Sequence, residues 1–319
     1  MKKLLTLFLA VTLILTLAAC GGSTGSSTSV SFATGGTSGT YYGFCGIIGQ
    51  VLNEKISDLN LKIESTGASM ANVQLIEAGE AGLAIVQNDV MSYAYNGENL
   101  FEKANQSFSG VMSCYPEAVQ IIAKKDITSV ADLKGRAISV GASDSGTRFN
   151  AEQILSAYGI KFEDCKINYQ SFADSVDSIK NGTIDAAFIV AGAPTTAVTE
   201  LATSYDFAVL SIDDEHISAL QKDFPFYIKT AIPGGTYSCV KEDVQTVAVM
   251  ATIIASNKLS EEVVYNVLKG IFDNKEEIAK LHAKGELLDL KTAVSGISVP
   301  FHPGAVKFFT EMGIELPKD

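Results

Sequence analysis

Two segments of this chain share one order of elements: a strand-like run, a short polar turn and a helix-like run. They read SFATGGTSGTY at residues 31–41 and AISVGASDSGTR at residues 137–148, with Ser-Gly-Thr before each helix. After each helix a glycine, Gly79 or Gly182, precedes an apolar run. A glycine that ends a helix before a buried strand is typical of α/β units. The repeat predicts an α/β fold with two lobes of similar build, although any two α/β units would share some of these features.

Both turns are rich in glycine, serine and threonine, which suits them to hold an anion. A helix leaves its first backbone N–H groups without partners, and its aligned peptide dipoles add partial positive charge at that end. Hydroxyl groups and free N–H groups at such a turn favour a carboxylate. Two turns of this kind predict one ligand that is held from two sides.

Composition narrows the class of partner. The 319-residue chain has a formal net charge of −12 and a pI near 4.8. An acidic surface repels nucleic acid and anionic lipid headgroups, and no block rich in Lys or Arg offsets this repulsion. With 47% hydrophobic residues, the chain can bury a core large enough for two domains. We therefore expect a globular protein with no nucleic-acid partner.

The N-terminus has the pattern of an export signal. Two lysines precede an apolar run at residues 4–17, and LAAC at residues 17–20 looks like the lipobox of bacterial lipoproteins. We predict a signal peptide at residues 1–19, lipidation of Cys20, and a flexible Gly/Ser/Thr tether at residues 20–29. A plain signal peptide or a membrane span are the alternatives, and the run is short for a span. The predicted location is outside the cytoplasm, lipid-anchored to the bacterial cell membrane.

The sequence lacks the marks of an enzyme or a metal site. The first turn has no Gly-Lys-Ser/Thr ending, and neither Ser38 nor Ser145 lies in a Gly-x-Ser-x-Gly elbow. The histidines His216, His282 and His302 show no metal spacing, so surface or capping roles are predicted for them. We expect no catalytic residues, no metal and no cofactor.

Four cysteines follow Cys20, and none of them forms a Cys-x-x-Cys pair. In a domain of this size they are predicted to be small buried apolar residues, with one disulfide as the alternative. They are Cys45, Cys114, Cys165 and Cys239.

The order of the elements predicts a chain that leaves the first lobe and later returns to it. The first lobe is assigned to residues 30–122 and 247–319, and the second to residues 123–246. Two crossing strands, at residues 119–125 and 246–255, would form a hinge that lets the lobes close over a ligand.

Ligands of parallel α/β sheets bind at the carboxyl ends of the strands. In the first lobe, polar loops at residues 35–41, 65–69 and 87–89 follow predicted strands. In the second, Arg148 follows the Ser-Gly-Thr turn, where its guanidinium can bind a carboxylate or can pair with Asp144 or Glu152. The predicted ligand-binding residues are Thr37, Ser38, Gly39, Tyr41, Tyr42, Ser69, Gln87, Asn88, Ser145, Gly146, Thr147, Arg148, Ala191, Ala193 and Tyr237.

Several short stretches, in order along the chain, resemble the substrate-binding subunits of TRAP transporters of the TAXI branch. The stretches include residues 33–42, 65–69, 86–89, 132–135, 145–147, 186–192, 232–237 and 302–305. The resemblance implies a two-lobed fold like that of type II periplasmic binding proteins, which closes by hinge bending and performs no chemistry. A TRAP-type membrane permease, driven by ions, is the implied partner, and we expect a monomer.

The ligand implied by the resemblance is a small organic acid or amino acid, such as glutamate or glutamine, with 2-oxoglutarate or another dicarboxylate as the alternative. A carboxylate that binds an ammonium group would favour the amino acid, and Asp89 and Asp144 are the candidates. A lipoprotein of the same fold that senses a ligand for a signalling partner is a second class of function that fits the sequence.

Overall fold

A computed structural model describes residues 28–317 of the chain. The predicted signal peptide, Cys20 and residues 20–27 of the tether lie outside the described residues. Thr28 and Ser29, which the sequence assigned to the tether, belong to the first strand, where they pair with Leu59 and Asn60. The folded domain therefore includes the last two residues of the predicted tether.

Apolar and β-branched runs form a ten-stranded mixed sheet in the order β2-β1-β3-β10-β4-β7-β5-β6, with β8 paired to β4 and β9 to β10. The strands are β1 (Thr28–Ala33), β2 (Leu59–Glu64), β3 (Leu83–Gln87), β4 (Phe108–Ala123), β5 (Ala137–Ser139), β6 (Lys166–Asn168), β7 (Ala186–Ala191), β8 (Ala208–Leu210), β9 (Ile228–Ile232) and β10 (Val244–Ser256).

Helices alternate with these strands. They are α1 (Thr40–Lys55), α2 (Ser69–Ala78), α3 (Asn88–Asn96), α4 (Gly146–Ala157), α5 (Phe172–Lys180), α6 (Thr196–Ala202), α7 (Asp214–Asp223), α8 (Glu261–Asp273), α9 (Lys275–Leu281) and α10 (Pro303–Glu311), with short 3-10 helices at Val130–Leu133, Phe162–Asp164 and Ala283–Leu287.

Two parallel groups of strands confirm the predicted α/β alternation. In one group β1 pairs in parallel with β2 and β3, and in the other β5 pairs in parallel with β6 and β7. The glycines that end the helices before β3 and β7, Gly79 and Gly182, have left-handed φ values of +78° and +74°. Because a side chain is strained in this conformation, glycine is the residue that ends a helix there most easily.

The two groups are joined by β4 and β10, which are antiparallel and much longer than an ordinary strand. Their register shifts between Ala251 and Thr252 and again between Ile253 and Ile254. Such irregularities bend a strand pair locally. The sheet therefore passes continuously from one lobe to the other, through the crossing strands that the sequence predicts.

The hydrophobic cores show where each lobe lies. One buried cluster combines α1, α8 and α10 with residues 111–115 of β4, and another combines α4, β5 and β7 with Val119, Ile121 and Val249. Val119 and Val249 thus pack in the second lobe, although the sequence placed the boundaries at residues 122 and 247. We infer that the chain crosses between the lobes near residues 116–118 and 250.

The lobes contact each other directly beside the cleft. Tyr93 of α3 stacks on Phe149 of α4 with ring centroids 5.9 Å apart. Two amide side chains of α4 bond to the first lobe: Asn150 Nδ2 donates to Asp89 Oδ2 at 2.8 Å, and Gln153 Nε2 donates to the Tyr93 hydroxyl at 3.1 Å. In this structure the two lobes are therefore held against each other by direct contacts.

Several smaller predictions can be checked on the described residues. His302 and His282 cap α10 and the 3-10 helix Ala283–Leu287 through their ring nitrogens. His216 stacks on Tyr158. The four cysteines are free: Cys45 and Cys114 are buried, whereas Cys165 and Cys239 are partly exposed.

Two features are absent from residues 28–317. None of these residues form a helix that is long and apolar enough to cross a membrane. The same part of the chain holds no cluster of three or more His, Cys, Asp or Glu side chains that suits a metal ion.

Candidate ligand-binding site

A cavity of about 80 Å³ lies between the lobes, at the carboxyl ends of the parallel strands. A buried water needs roughly 10–15 Å³ of such space, so the cavity has room for about five to eight waters, the size of a small organic molecule. Its lining comes from both lobes: Gly35, Gly36, Ser38, Gly39, Thr40, Tyr41, Thr66, Gly67, Ala68, Ser69, Gln87 and Glu117 from the first, and Ala142, Ser145, Gly146, Thr147, Ser171, Phe172, Val190 and Ala191 from the second.

The first Ser-Gly-Thr turn brings the N-terminus of α1 to the cavity. Gly39 is the N-cap, with extended backbone (φ −95°, ψ 166°), and its N–H donates to the Gly36 carbonyl at 2.9 Å. No side chain of the described residues caps this helix. The N–H groups of its first turn are thus available to a ligand in the cavity.

The second turn repeats this geometry from the opposite lobe. Ser145 is the N-cap of α4 (φ −93°, ψ 154°), and its N–H donates to the Ala142 carbonyl at 3.1 Å. The Ser145 hydroxyl donates to the same carbonyl at 2.8 Å, and no side chain within residues 28–317 caps α4. Two helix N-termini, one from each lobe, therefore meet at one cavity with their positive ends exposed to it.

The N-terminus of α2 also points to the second lobe, but protein groups occupy it. The N–H groups of Met70 and Ala71 donate to the Asp144 carbonyl at 3.0 and 3.2 Å. The Ser69 hydroxyl accepts the N–H of Gln87 at 3.1 Å, which fixes the end of β3 beside the cavity. The N-terminus of α2 therefore links the two lobes through the Asp144 carbonyl and positions Gln87 through the Ser69 hydroxyl.

Gln87 fills the space beside the second turn. Its side chain is 2% exposed, and Oε1 has no hydrogen-bond partner among the described residues. A Cβ added to Gly146 would lie 1.9 Å from this oxygen, so a glycine at the start of α4 is what allows the amide to approach. A buried acceptor without a partner is costly. It is a natural contact for a donor on a ligand.

Among residues 28–317, Glu117 is the one acidic or basic residue whose side chain lines the cavity. It lies in the middle of β4, is 1% exposed, and its Oε2 accepts the Tyr41 hydroxyl at 2.8 Å. Burial raises the pKa of Glu117 well above its usual range, and the attraction of Lys284 opposes this shift. Burial also raises the pKa of Tyr41, which remains a hydrogen-bond donor at neutral pH.

Sequence reasoning missed Glu117 because it looked for site residues in loops that follow strands. Its neighbours Tyr115 and Val119 are buried, and the surrounding run reads VMSCYPEAVQIIA, which is almost free of charge. An acidic residue in such a run must be paired or must serve a ligand. That is the signal that could have found it. Phe172 and Ser171, from the start of α5, were missed as well.

Nine of the fifteen predicted ligand-binding residues line the cavity in the structure. They are Ser38, Gly39, Tyr41, Ser69, Gln87, Ser145, Gly146, Thr147 and Ala191. The six others, Thr37, Tyr42, Asn88, Arg148, Ala193 and Tyr237, are not among the lining residues.

The predicted cation Arg148 is turned away from the cavity. Its Nη1 donates to the Ser143 carbonyl at 3.2 Å, and its guanidinium lies 5.2 Å from the centre of the Tyr169 ring. Neither predicted alternative partner, Asp144 or Glu152, takes part in these contacts. Arg148 is thus half-buried beside the cavity and is not part of its lining.

Three of the other predicted residues have structural roles. Asn88 Oδ1 accepts the N–H of Met250 at 2.9 Å and so holds β10 where the chain crosses. Tyr237 is buried in the second lobe, where its hydroxyl accepts the N–H of Thr195 at 2.9 Å. The Ala193 carbonyl accepts Lys284 Nζ at 2.6 Å, a bond between the lobes.

The two exposed or half-buried residues of the first turn also miss the cavity. Thr37 is exposed, and Tyr42 is half-buried. The candidates for an ammonium-binding carboxylate miss it too, because Asp89 bonds to Asn150 and Asp144 offers its carbonyl to α2.

The sequence matches the model of the NMT1-like family over residues 32–313, nearly the whole described domain. The chain belongs to the NMT1-like family. The family match covers both lobes and all the residues that line the cavity.

Solved structures share the fold at low sequence identity. A Bordetella bronchiseptica RB50 protein is 18% identical, with a TM-score of 0.52 over 90% of this chain and 83% of that chain. The periplasmic aliphatic sulphonate binding protein SsuA from Escherichia coli is 15% identical (TM-score 0.49; 91% and 80%). The substrate binding protein of an amino acid ABC transporter is 17% identical (TM-score 0.48; 82% and 100%). The mixed α/β fold of this chain is therefore shared with the Bordetella bronchiseptica protein.

Proposed function

We propose that this protein is an extracytoplasmic solute-binding lipoprotein that captures a small carboxylate-bearing solute between its lobes and delivers it to a membrane permease. The observation that carries this proposal is the pair of uncapped helix N-termini, at Gly39 and Ser145, that meet at one enclosed cavity. A carboxylate there would accept N–H groups from both lobes at once.

Binding of this kind would favour the closed state. The ligand contacts both lobes only when they are closed, and a ligand shifts an equilibrium by its difference in affinity for the two states. Hydrogen bonds between the lobes, such as Thr40 Oγ1 to the Gly192 carbonyl at 2.9 Å, would be made at the same time. Closure would give the permease a signal that the solute is present.

The proposed partner is a TRAP-type permease, and the proposed ligand is an amino acid like glutamate or glutamine. Support comes from the resemblance of the turns and loops to TAXI subunits and from a cavity of suitable size. A receptor for 2-oxoglutarate or another dicarboxylate, or a sensing lipoprotein of the same fold, is the alternative. The protein itself would perform no chemistry and would need no cofactor.

Isothermal titration calorimetry tests the ligand class. The chain without residues 1–20, unfolded and refolded to remove bound ligand, is titrated with L-glutamate, L-glutamine, 2-oxoglutarate and succinate. Micromolar binding of one of them supports the proposal. If neither these nor other small amino and organic acids bind, the proposed function is wrong.

Cell fractionation tests the proposed anchor. The full chain with Cys20→Ser should be released from the membrane fraction, whereas the unchanged chain should stay in it. A Ser substitution at the buried Cys45 is the matched control, since it leaves the lipobox intact. Membrane attachment of the Cys20→Ser variant would contradict lipidation.

A further inference from the structure

We propose that Glu117 binds an ammonium group of the ligand, so that the site selects an α-amino acid over the matching 2-oxo or dicarboxylic acid. This inference rests on the proposed function, because it assumes that the cavity is the site of capture. It chooses between two ligand classes that the helix N-termini alone leave open.

The position of Glu117 is the first argument. Its side chain reaches the cavity from the strand that crosses between the lobes, and it is 1% exposed. Only Oε2 has a hydrogen-bond partner among the described residues, the Tyr41 hydroxyl at 2.8 Å. The other oxygen is left for a group that enters the cavity. A carboxylate buried in this way requires a compensating positive charge or a proton.

The lining offers no such charge of its own, within residues 28–317. The charge of Lys284 acts on Glu117 and lowers its pKa, but Lys284 does not line the cavity. Its Nζ already donates to the Ala193 carbonyl at 2.6 Å and lies 5.8 Å from the centre of the Tyr115 ring. Arg148 is not among the residues that line the cavity, and its Nη1 donates to the Ser143 carbonyl. An ammonium group on the ligand would supply the missing charge in the cavity.

Gln87 supplies the second argument, because it is a further acceptor at the same cavity. Its Oε1 is buried and has no partner among the described residues. An ammonium group carries three donors and no acceptor. Glu117 and Gln87 thus offer acceptors, while the N-termini at Gly39 and Ser145 offer donors. This division of polarity matches a zwitterion, with ammonium and carboxylate at opposite sides of the site.

A dicarboxylate fits the same lining less well. It would bring two more negative groups beside Glu117 and would leave the Gln87 acceptor without a donor. The one arrangement in which it fits has Glu117 protonated and donating to a ligand carboxylate. The two cases predict different responses to Glu117→Gln, because the amide can still donate to a ligand carboxylate but cannot balance the charge of an ammonium group.

The experiment compares ligand pairs that differ only at C2: L-glutamate with 2-oxoglutarate, L-alanine with pyruvate, and L-valine with 3-methyl-2-oxobutanoate. Each is titrated into the chain without residues 1–20 and into its Glu117→Gln variant. For the pair that binds, the wild type should prefer the amino acid by at least tenfold. Glu117→Gln should weaken the amino acid by at least tenfold and change the oxo acid less than threefold.

Proton release gives a readout that a purely structural role would not produce. Burial raises the pKa of Glu117 and a bound ammonium group would lower it, so any proton that Glu117 carries before binding should be released when an amino acid binds. The heat of glutamate binding should then differ between phosphate and Tris buffers, and Glu117→Gln should abolish that difference. The other ionisable groups near Glu117 are Tyr41, Tyr115, Cys114, Asp89 and Lys284, and all of them remain in the variant.

Controls keep the outcomes distinct. Glu152→Gln makes the same change on the exposed face of α4 and should alter neither affinity nor proton release. If Glu117→Gln unfolds the domain, Tyr41→Phe tests the same group, because loss of its hydroxyl should change the buffer dependence of the glutamate heat. Unchanged amino-acid affinity in Glu117→Gln, or selective loss of the oxo acid, overturns the inference. If no member of any pair binds the wild type, the proposed function fails first.

Discussion

The two Ser-Gly-Thr turns have the same backbone but carry their residues one position apart. In both, the N-cap is extended and donates its N–H to the carbonyl three residues before it. The N-cap is Gly39, the second residue of the first motif, but Ser145, the first residue of the second motif. Ser145 thus corresponds in space to Gly39 and not to Ser38.

This shift explains which side chains reach the ligand site. The N-cap and the next two residues line the cavity in both helices, whereas the residue after them faces away. A helix turns by about 100° per residue, so one step of register moves a side chain to another face. Arg148 and Tyr42 occupy this fourth position, and both miss the cavity. The two lobes therefore share the backbone conformation of the turn, whereas the side chains of the two turns have different roles.

The largest difference between the turns lies at the first helical residue, which is Thr40 in α1 and Gly146 in α4. We expect Gly146→Ala to weaken ligand binding by about 5- to 150-fold, since overpacking costs roughly 1–3 kcal/mol. The added Cβ would meet Gln87 Oε1 at 1.9 Å and Gln87 Cδ at 2.4 Å, and Gln87 belongs to the other lobe. The clash arises on closure, so titration calorimetry should show it more clearly than thermal melting.

Gly46→Ala is the matched control, because an added Cβ there meets nothing within 4 Å. It should leave affinity unchanged. A double-mutant cycle of Gly146→Ala with Gln87→Ala isolates the contact, since removal of the amide should recover part of the loss. If the two substitutions are additive, the affinity lost in Gly146→Ala does not come from a clash between the added Cβ and the Gln87 amide.

The helices differ again at the fifth residue after the N-cap, which is Phe44 in α1 and Asn150 in α4. Phe44 packs on Tyr115, whereas Asn150 donates to the buried carboxylate of Asp89. Burial raises the pKa of Asp89 to about 6. The native state therefore holds this proton more tightly than the unfolded chain, in which the pKa of Asp is about 3.9.

The protonated Asp89 carboxyl adds about 3 kcal/mol to the free energy of unfolding below about pH 4. This contribution is lost as the pH rises through about 6. We expect Asp89→Asn to remove that loss. Thermal melts of both chains from pH 4 to pH 7 should show a difference in Tm, variant minus wild type, that grows with pH. The exposed Asp223→Asn variant should show a constant difference. The absolute stability of Asp89→Asn does not test this assignment, because the amide has one acceptor oxygen where the carboxylate has two. A flat difference would contradict the assignment.

The fold could be predicted from the sequence, but only part of the site could. Strands β1 to β3 and helices α1 and α2 follow from local apolar periodicity and from glycines at helix ends, and so do the loops that follow them. Glu117 does not, because it sits inside a strand and becomes a site residue only when Tyr41 of α1 packs against it. Arg148 lies outside the cavity lining for a related reason: the motif places it near the site, whereas the helical register decides which way its side chain points.

A smaller effect on ligand affinity is expected from the Thr40 hydroxyl. Thr40 is the first helical residue of α1, where α4 has Gly146 and so no hydroxyl. Thr40 Oγ1 donates to the Gly192 carbonyl across the cleft at 2.9 Å. The same carbonyl also accepts the Thr195 hydroxyl at 3.2 Å, so Thr40→Val leaves it with a partner. The loss should be about 1 kcal/mol, or roughly fivefold in affinity. Thr203→Val removes an exposed hydroxyl that bonds to Glu200 of its own lobe, and it should not change affinity.

The smallest effect should follow from Arg148→Ala. Arg148 holds the Ser143 carbonyl and lies against Tyr169, outside the cavity, so its loss should cost at most about 1 kcal/mol of stability and change affinity less than twofold. Thr147→Arg is the informative partner, because it places the cation one residue earlier, at a position that lines the cavity. A guanidinium there would occupy the site and should abolish binding. If Arg148→Ala instead weakened binding tenfold, the cation would have to turn inward in the liganded state, and the one-residue shift between the turns would no longer explain which side chains face the ligand.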